Sequence, residues 1–522
     1  MIYDASTFGE PTRLRTDLCI IGSGAGGSAA AWAAARAGLD VTILEVGPFV
    51  PPSVMNQREE DMMPALLYAN GSQTSEDRSC AIIQGRALGG STVHNINLCK
   101  PIPEPVLREW QATHGLEHLP ADRWQQLYDQ VYDDLHIGPI KEASYNRHNQ
   151  LFRQGCQNLG WESSGLDHNR TGCAESGYCA IGCPYDAKNN ATKIYLPWAF
   201  EAGAQALVHC RAIAIDHDGR RATGVRATAV DPTSREPTHE VYVEAHHICL
   251  SASATHTPAI LQRSDIPDPS DRTGQGLTIH PAVVAGGAFD DPIEAWDGIP
   301  QSYECTEFLD LHAAHPEPDA DDAARQRAQE IGLRSWIIPV FAHPMSTATI
   351  LPGFGEQHRQ LMESYDHLAV FSSMIHDRVT GSVQPQGDHG VSIDWSPTDL
   401  DRRELRFGLK RCVELLLAAG ADRAFIPTDP PLSFSADDDL SAIDDLAMDA
   451  DTMELTAVHP MSSVPMSDDP SIGPVDSRGK HHQIDGLWVA DGSLFPTSIG
   501  GPPQVSIYAL GLHVGQAIAD QS

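Results

Sequence analysis

Three groups of residues in this 522-residue chain have types and spacings that suit chemistry. The first is Gly22-Ser23-Gly24-Ala25-Gly26-Gly27. Gly22 permits a tight turn, Gly24 lets the backbone approach a pyrophosphate, and Gly27 allows a helix to lie close on a sheet. The helix N-terminus that follows turns its N–H groups toward the phosphates. Glu45 comes 23 residues after Gly22, where a carboxylate accepts hydrogen bonds from ribose hydroxyls. Together these residues predict dinucleotide binding. The second group is Cys173, Cys179 and Cys183-Pro184. Three thiolates in one loop suit an iron–sulfur cluster, and a terminal Cys-Pro matches ferredoxin-type ligation. Thiols that pair or pack as small apolar groups, or a zinc site completed by His168, are the other readings of that spacing. The third group is the adjacent pairs His246-His247 and His481-His482. Neighbours on a strand face opposite ways, so neither pair is expected to share a metal.

The elements around these residues place them. Asp17–Ile21 is a short apolar run that reads as a buried strand, Ser28–Ala37 is an alanine-rich helix closed by Gly38, and Val41–Leu44 is a second strand ending at Glu45. This is one βαβ unit with the glycine turn in position. Trp110–Leu166 reads as mostly helical, and Val208–Val243 as hairpin material turning at Asp218-Gly219. A strand at His247–Ser251 precedes a helix over Pro258–Arg263, and Ser335–Asp394 alternates strands and loops. Residues from about Ala323 to Ile331 read as helical. Asp399–Ala419 is an amphipathic helix with Leu405, Leu409, Val413 and Leu416 on one side. The Asp-rich stretch Asp437–Asp451 lacks the EF-hand pattern and reads as a solvated loop. Near the end, a strand over Leu487–Ala490 leads through Asp491-Gly492 to Pro502-Pro503-Gln504 and a helix to Ala519. The two prolines suit a first helical turn. A helix start facing a flavin's pyrimidine edge would stabilise negative charge on the reduced ring.

Composition sets the outer bounds. Hydrophobic residues make up 41% and charged residues 20%, which fits a chain with a large core and excludes a disordered or fibrous one. The net charge of −35 repels phosphate backbones, so no nucleic-acid partner is expected. No apolar stretch is long enough for a membrane span, and residues 1–15 have no signal-like core, so a cytoplasmic protein is expected.

Four motifs then carry a specific resemblance. They are the N-terminal βαβ unit, Gly85-Arg-Ala-Leu-Gly-Gly-Ser-Thr-Val-His-Asn95, Gly274-Gln-Gly-Leu-Thr-Ile-His-Pro281, and the block from His459 to Ile507. The chain resembles the glucose–methanol–choline (GMC) flavoprotein oxidoreductases. The cysteine loop and the stretch from Asp377-Arg-Val-Thr-Gly381 to Gly420 are similar to the long-chain (fatty) alcohol oxidase and dehydrogenase branch.

The resemblance implies an α/β architecture in which a Rossmann-like FAD-binding domain (1–103, 190–283 and 447–522) carries an inserted α+β substrate domain built on an antiparallel sheet (104–189 and 284–446). It implies FAD, contacted by Gly22, Gly24, Gly27, Glu45, Arg86, Gly89, Gly90, Ser91, His94, Asn95, Val208, Asp491, Gly492, Pro503 and Gln504. His94 falls where some members link a histidine to the flavin; the other reading is a pocket-lining histidine. His459, in Val458-His459-Pro460-Met461, matches the active-site histidine, and His280 matches a structural position near the FAD fold. The implied reaction oxidises a hydrophobic alcohol to an aldehyde or ketone. An imidazole of ordinary pKa, about 6.5, takes the hydroxyl proton while hydride leaves for flavin N5. Electrons then pass to oxygen, a quinone or a redox protein. Some bacterial members of the family hold a three-iron cluster on clustered cysteines, and a cluster here would favour a dehydrogenase over an oxidase.

The chain departs from the family at Pro502, which stands where a second His or Asn is usual. Proline has no side-chain donor or acceptor, and the loss of one such donor costs about 3–4 kcal/mol at oxyanion sites. Gln504, two residues on, is the candidate replacement. The alternative is a redox-neutral or photochemical reaction (lyase, isomerase or decarboxylase) on the same scaffold.

Overall fold

The computed structural model describes residues 1–309, 335–351, 353–428 and 431–522. The helix expected near 323–331 lies outside these residues. The apolar run at Leu18–Ile21 forms the buried end of the strand Thr12–Ile21, which pairs in parallel with Val41–Leu44. They form the middle of a sheet in the order Ile2–Asp4, Gln205–Val208, Val41–Leu44, Thr12–Ile21, Pro237–Leu250, Ala222–Val230, Cys210–His217. The pairings from Ile2–Asp4 to Pro237–Leu250 are parallel, and those beyond are antiparallel. The expected hairpin is thus Cys210–His217 with Ala222–Val230, and its turn is held by Asp218, which accepts from the N–H groups of Arg220 and Arg221. The expected strand at residue 247 is the end of the long strand Pro237–Leu250, and Leu487–Val489 pairs beside it.

The first helix, Ala25–Arg36, is buried on nearly every side. It lies between this sheet and the C-terminal helix, Gln504–Ala519, and Gly511 and Gly515 of that helix meet Gly26, Ala29, Ala30 and Ala33. A Cβ on Gly511 would sit 2.3 Å from the Gly26 carbonyl oxygen, and one on Gly515 would sit 2.6 Å from that of Ala30.

A second, antiparallel sheet runs Leu432–Phe434, Arg423–Ile426, Ala282–Ala288, Leu368–Ile375, Ser335–Pro339, Tyr303–Cys305, Ser163–Gly165. The helix Asp399–Ala418 packs on it through Leu405, Leu409, Val413 and Leu416, all fully buried. A capping box starts that helix: Thr398 and Asp401 satisfy each other's backbone N–H. Two short strands reach this sheet from far apart in sequence. Leu455–Ala457 pairs in parallel with Cys80–Ile82 and bridges to Ala282 through Thr456. The fold is therefore a Rossmann-like α/β layer joined to an α+β layer on an antiparallel sheet.

Trp110–Leu166 is mostly helical, as its sequence suggests. It divides among Glu104–His114, Ala121–Asp134 and Arg147–Leu159. Gly115 ends the first of these at φ +79°, and Gly160 caps the third in the left-handed region at φ +71°.

Candidate active site

The glycine turn opens where the parallel strands end. Gly22 has φ +97°, and a Cβ there would lie 2.2 Å from the Ser251 carbonyl oxygen. Nothing lies within 4 Å of a Cβ on Gly24, so a ligand has open access to that backbone. A Cβ on Gly27 would fall 2.1 Å from the Gly22 oxygen. Gly26, to which the sequence assigns no role, is as restricted: its Cβ would meet the Ala490 oxygen at 1.6 Å. The strand that leads to the C-terminal block therefore abuts the first turn.

Ser23 joins this turn to the second glycine loop. Its hydroxyl donates to Glu45 Oε2 at 2.5 Å and accepts from the Gly89 N–H at 2.9 Å. Glu45 Oε1 accepts from the Gly47 N–H at 2.9 Å. Burial raises the Glu45 pKa, while these hydrogen bonds and the Arg86 guanidinium oppose the rise. Burial in turn brings Arg86 down to about 10. Gly89 and Gly90 both have positive φ, and a Cβ on Gly90 would lie 2.9 Å from Gly24 Cα, so the two glycine turns touch. Ser91 braces the loop by accepting from the Gly85 N–H at 2.9 Å. Val208 is buried at the end of its strand, next to Leu207, whose carbonyl accepts from the Glu45 N–H. His94 is buried and its Nε2 has no hydrogen-bond partner; burial, then the Lys188 charge, lowers its pKa to about 3. The open approach over Gly24, the buried carboxylate at the strand end and the unpartnered His94 nitrogen fit a bound FAD.

His459 enters by strand pairing. Thr278 and Met461 exchange backbone hydrogen bonds of 3.0 and 2.8 Å. Two residues along from that antiparallel bridge, His280 falls opposite His459. Their Nδ1 atoms are 3.3 Å apart, and the rings meet edge to face at 87°. The Gly500 N–H donates to His280 Nε2 at 3.0 Å. His280 has no exposed surface and a left-handed φ of +51°. Asp377 holds this turn, accepting from the N–H groups of Ile279 at 2.9 Å and His280 at 3.1 Å. Burial drives the His459 pKa down to about 3. The expectation of an ordinary imidazole is thus corrected in direction: the surroundings of the half-buried His459 disfavour its charged form. The sequence treats His280 as structural, and the structure puts it in contact with the candidate catalytic ring. The one signal for this was that both histidines stand in His-Pro strings.

Several other candidates have different duties. Gln504 accepts from Asn95 Nδ2 at 2.8 Å and donates to the Leu98 oxygen at 2.7 Å. Its amide is committed inside the protein, so it does not offer the contact that Pro502 lacks. Pro502 is buried, and Pro503 is the N-cap of the last helix rather than part of its first turn. The Asp491 carboxylate accepts from Ser253 N–H, Thr257 Oγ1, Ser493 N–H and Ser493 Oγ, which ties two chain segments together. Gly492 leaves room for Ile507 and the Pro460 carbonyl.

Cys173, Cys179 and Cys183 line one small cavity with Arg170 and Lys188. Cys173 Sγ accepts from the Glu175 N–H and Cys183 Sγ from the Ala187 N–H, each at 3.4 Å. All eleven cysteines are free thiols. Among the described residues, no three His, Cys, Asp or Glu side chains gather as a metal-binding group. His168 does not complete a zinc site, because its Nε2 bonds the Gln301 oxygen at 2.9 Å and its Nδ1 meets Arg170. The iron–sulfur and zinc readings therefore find no ligand set in this arrangement. Lys188 is almost wholly buried and donates to the carbonyls of Val93, Asn95 and Cys179, joining the cysteine loop to the loop that carries His94.

A parallel sheet with a pyrophosphate-type turn, joined to a second sheet and a contacting pair of histidines, fits a dinucleotide-dependent oxidoreductase. Family comparison makes this specific. GMC oxidoreductase models match residues 63–282 and 378–511, and a NAD(P)-binding Rossmann-like domain model matches residues 20–69. An uncharacterized GMC-type oxidoreductase of Mycobacterium tuberculosis is 31% identical over 520 residues, covering 98% of this chain and 76% of the relative. A long-chain-alcohol oxidase of Arabidopsis thaliana is 25% identical, covering 99% of this chain and 70% of that protein. Among solved structures, pyridoxine 4-oxidase from Mesorbium loti is similar with a TM-score of 0.68 at 17% identity, covering 96% of this chain and 98% of that one. The chain belongs to the GMC oxidoreductase family. Among the described residues no helix is long and apolar enough to cross a membrane.

Proposed function

We propose that this protein oxidises a hydrophobic alcohol to an aldehyde or ketone with FAD as its cofactor. The FAD-binding part is 1–103, 190–283 and 447–522, and 104–189 with 284–446 shape the substrate side. Gly22, Gly24 and Glu45 receive the dinucleotide, and Arg86, Gly89, Gly90, Ser91, His94 and Asn95 line it. When bound, the flavin supplies the hydride acceptor. The chain's own part is to seat the carbinol, exclude water and take the hydroxyl proton on His459. The hydrophobic substrate is supported by the similarity to long-chain-alcohol oxidases. The observation that carries the reading is the place of His459. It is a ring bonded through His280 to Gly500, on the same C-terminal block whose Gln504 holds Asn95 of the glycine loop.

Anaerobic mixing of the FAD-loaded protein with hexan-1-ol tests this. The visible flavin band should bleach, and His459→Ala should slow the bleaching by about 10²-fold or more at unchanged FAD content. Pro502 favours one other reading, a redox-neutral or light-driven reaction on the same scaffold. For that reading no alcohol bleaches the band.

A further inference from the structure

We propose that His280 is a positioning residue of this site: it selects which nitrogen of His459 carries the proton. The proposal rests on the alcohol-oxidation reading above and adds a residue to it. The argument begins at a group with no choice of role. The Gly500 backbone N–H can only donate, and it points at His280 Nε2 from 3.0 Å. A neutral imidazole has one N–H and one acceptor nitrogen. His280 Nε2 is therefore the acceptor, and the His280 proton is on Nδ1. That atom faces His459 Nδ1 at 3.3 Å, so His459 accepts there and carries its own proton on Nε2. His280 is held in place to do this. It has no exposed surface, its backbone is gripped by both oxygens of Asp377, and the His376 ring stands edge-on to it with centroids 6.4 Å apart.

The two ends of the reaction meet this pair differently. A carbonyl oxygen has only lone pairs, and the Nε2–H of His459 donates to it with the His280 contact intact. An alcohol that gives up its proton needs a lone pair on Nε2. The His459 proton must then sit on Nδ1, where it faces the N–H of His280, donor against donor. His280 therefore strengthens binding of the carbonyl relative to the alcohol.

The test uses the full-length, FAD-loaded protein as wild type, His280→Leu and His280→Gln. Glutamine keeps one acceptor for Gly500 and one donor for His459, whereas leucine keeps neither. Binding of hexanal is followed through the oxidised-flavin spectrum and compared with KM for hexan-1-ol. In parallel, 15N NMR of histidine-labelled protein, assigned by the signals lost in His459→Ala, reports the tautomer. Wild type and H280Q should show His459 protonated on Nε2 and bare on Nδ1. H280L should bind hexanal about tenfold more weakly, with KM for the alcohol changed by less than about threefold. An Nδ1 proton on His459 in the wild type overturns the proposal, and so does an equal shift for aldehyde and alcohol in H280L. If hexan-1-ol and other alcohols leave the flavin oxidised, the alcohol reading fails by itself, and the NMR result still decides the role of His280. If H280L does not fold, the wild-type and H280Q tautomers decide it.

Discussion

Asp377 holds a carboxylate where ionisation is disfavoured. Burial, then the charge of Asp401, raises its pKa to about 7, against the pull of the Ile279 and His280 N–H groups. An acid whose pKa is raised in the folded state contributes stability below its unfolded value, about 3.9, and that contribution is lost as pH climbs through the folded value. Asp377→Asn removes this titration. The melting temperature of the variant should therefore rise relative to wild type between pH 5 and pH 8. A constant difference across that range would show that Asp377 titrates normally. Lys188 makes a second residue-scale case. Its ammonium satisfies three carbonyls and has no carboxylate partner among its hydrogen bonds. Lys188→Met leaves those carbonyls short of a donor, at about 1–3 kcal/mol for each that water cannot reach. Because two of the three flank His94, the variant should lose FAD on gel filtration under conditions where wild type retains it.

At the scale of elements, the contact between Ala25–Arg36 and Gln504–Ala519 sets how near the last helix comes to the glycine turn. Backbone meets backbone there, so no side chain can yield to an added methyl group. Gly511→Val forces the helices apart, and overpacking of this kind costs about 1–3 kcal/mol. Chemical denaturation should show a lower midpoint with an unchanged slope. The same substitution at Gly9, which has nothing within 4 Å of its Cβ position, should leave the midpoint within error. The alanine-rich composition made the first helix readable, but it said nothing about the partner across which those small residues were needed.

At the scale of the whole molecule, the net charge of −35 stresses the folded state by self-repulsion. Added salt screens it, with a Debye length near 10 Å at 0.1 M. The melting temperature should climb as sodium chloride is raised from about 20 to 500 mM. A flat response would mean that local ion pairs, such as Arg378 with Asp401 and Glu404, already balance the repulsion.

What could be read from the sequence was local or strongly typed. A glycine turn between an apolar strand and an alanine-rich helix, an acid at the next strand end, and a C-terminal strand leading into a helix each lie within some thirty residues, where spacing alone dictates geometry. Those features pointed to dinucleotide binding, and the family resemblance came from four motifs spread along the chain. Contacts between distant segments were decided only by the fold. His280 and His459 are 179 residues apart, and they meet because the Thr278–Met461 bridge sets the register of two short segments. No residue type announces such a register. Gln504 looked free for chemistry because its partners, Asn95 and Leu98, are some 400 residues earlier. The pKa of His459 was misjudged for the same reason, since burial belongs to the packed molecule and not to the residue.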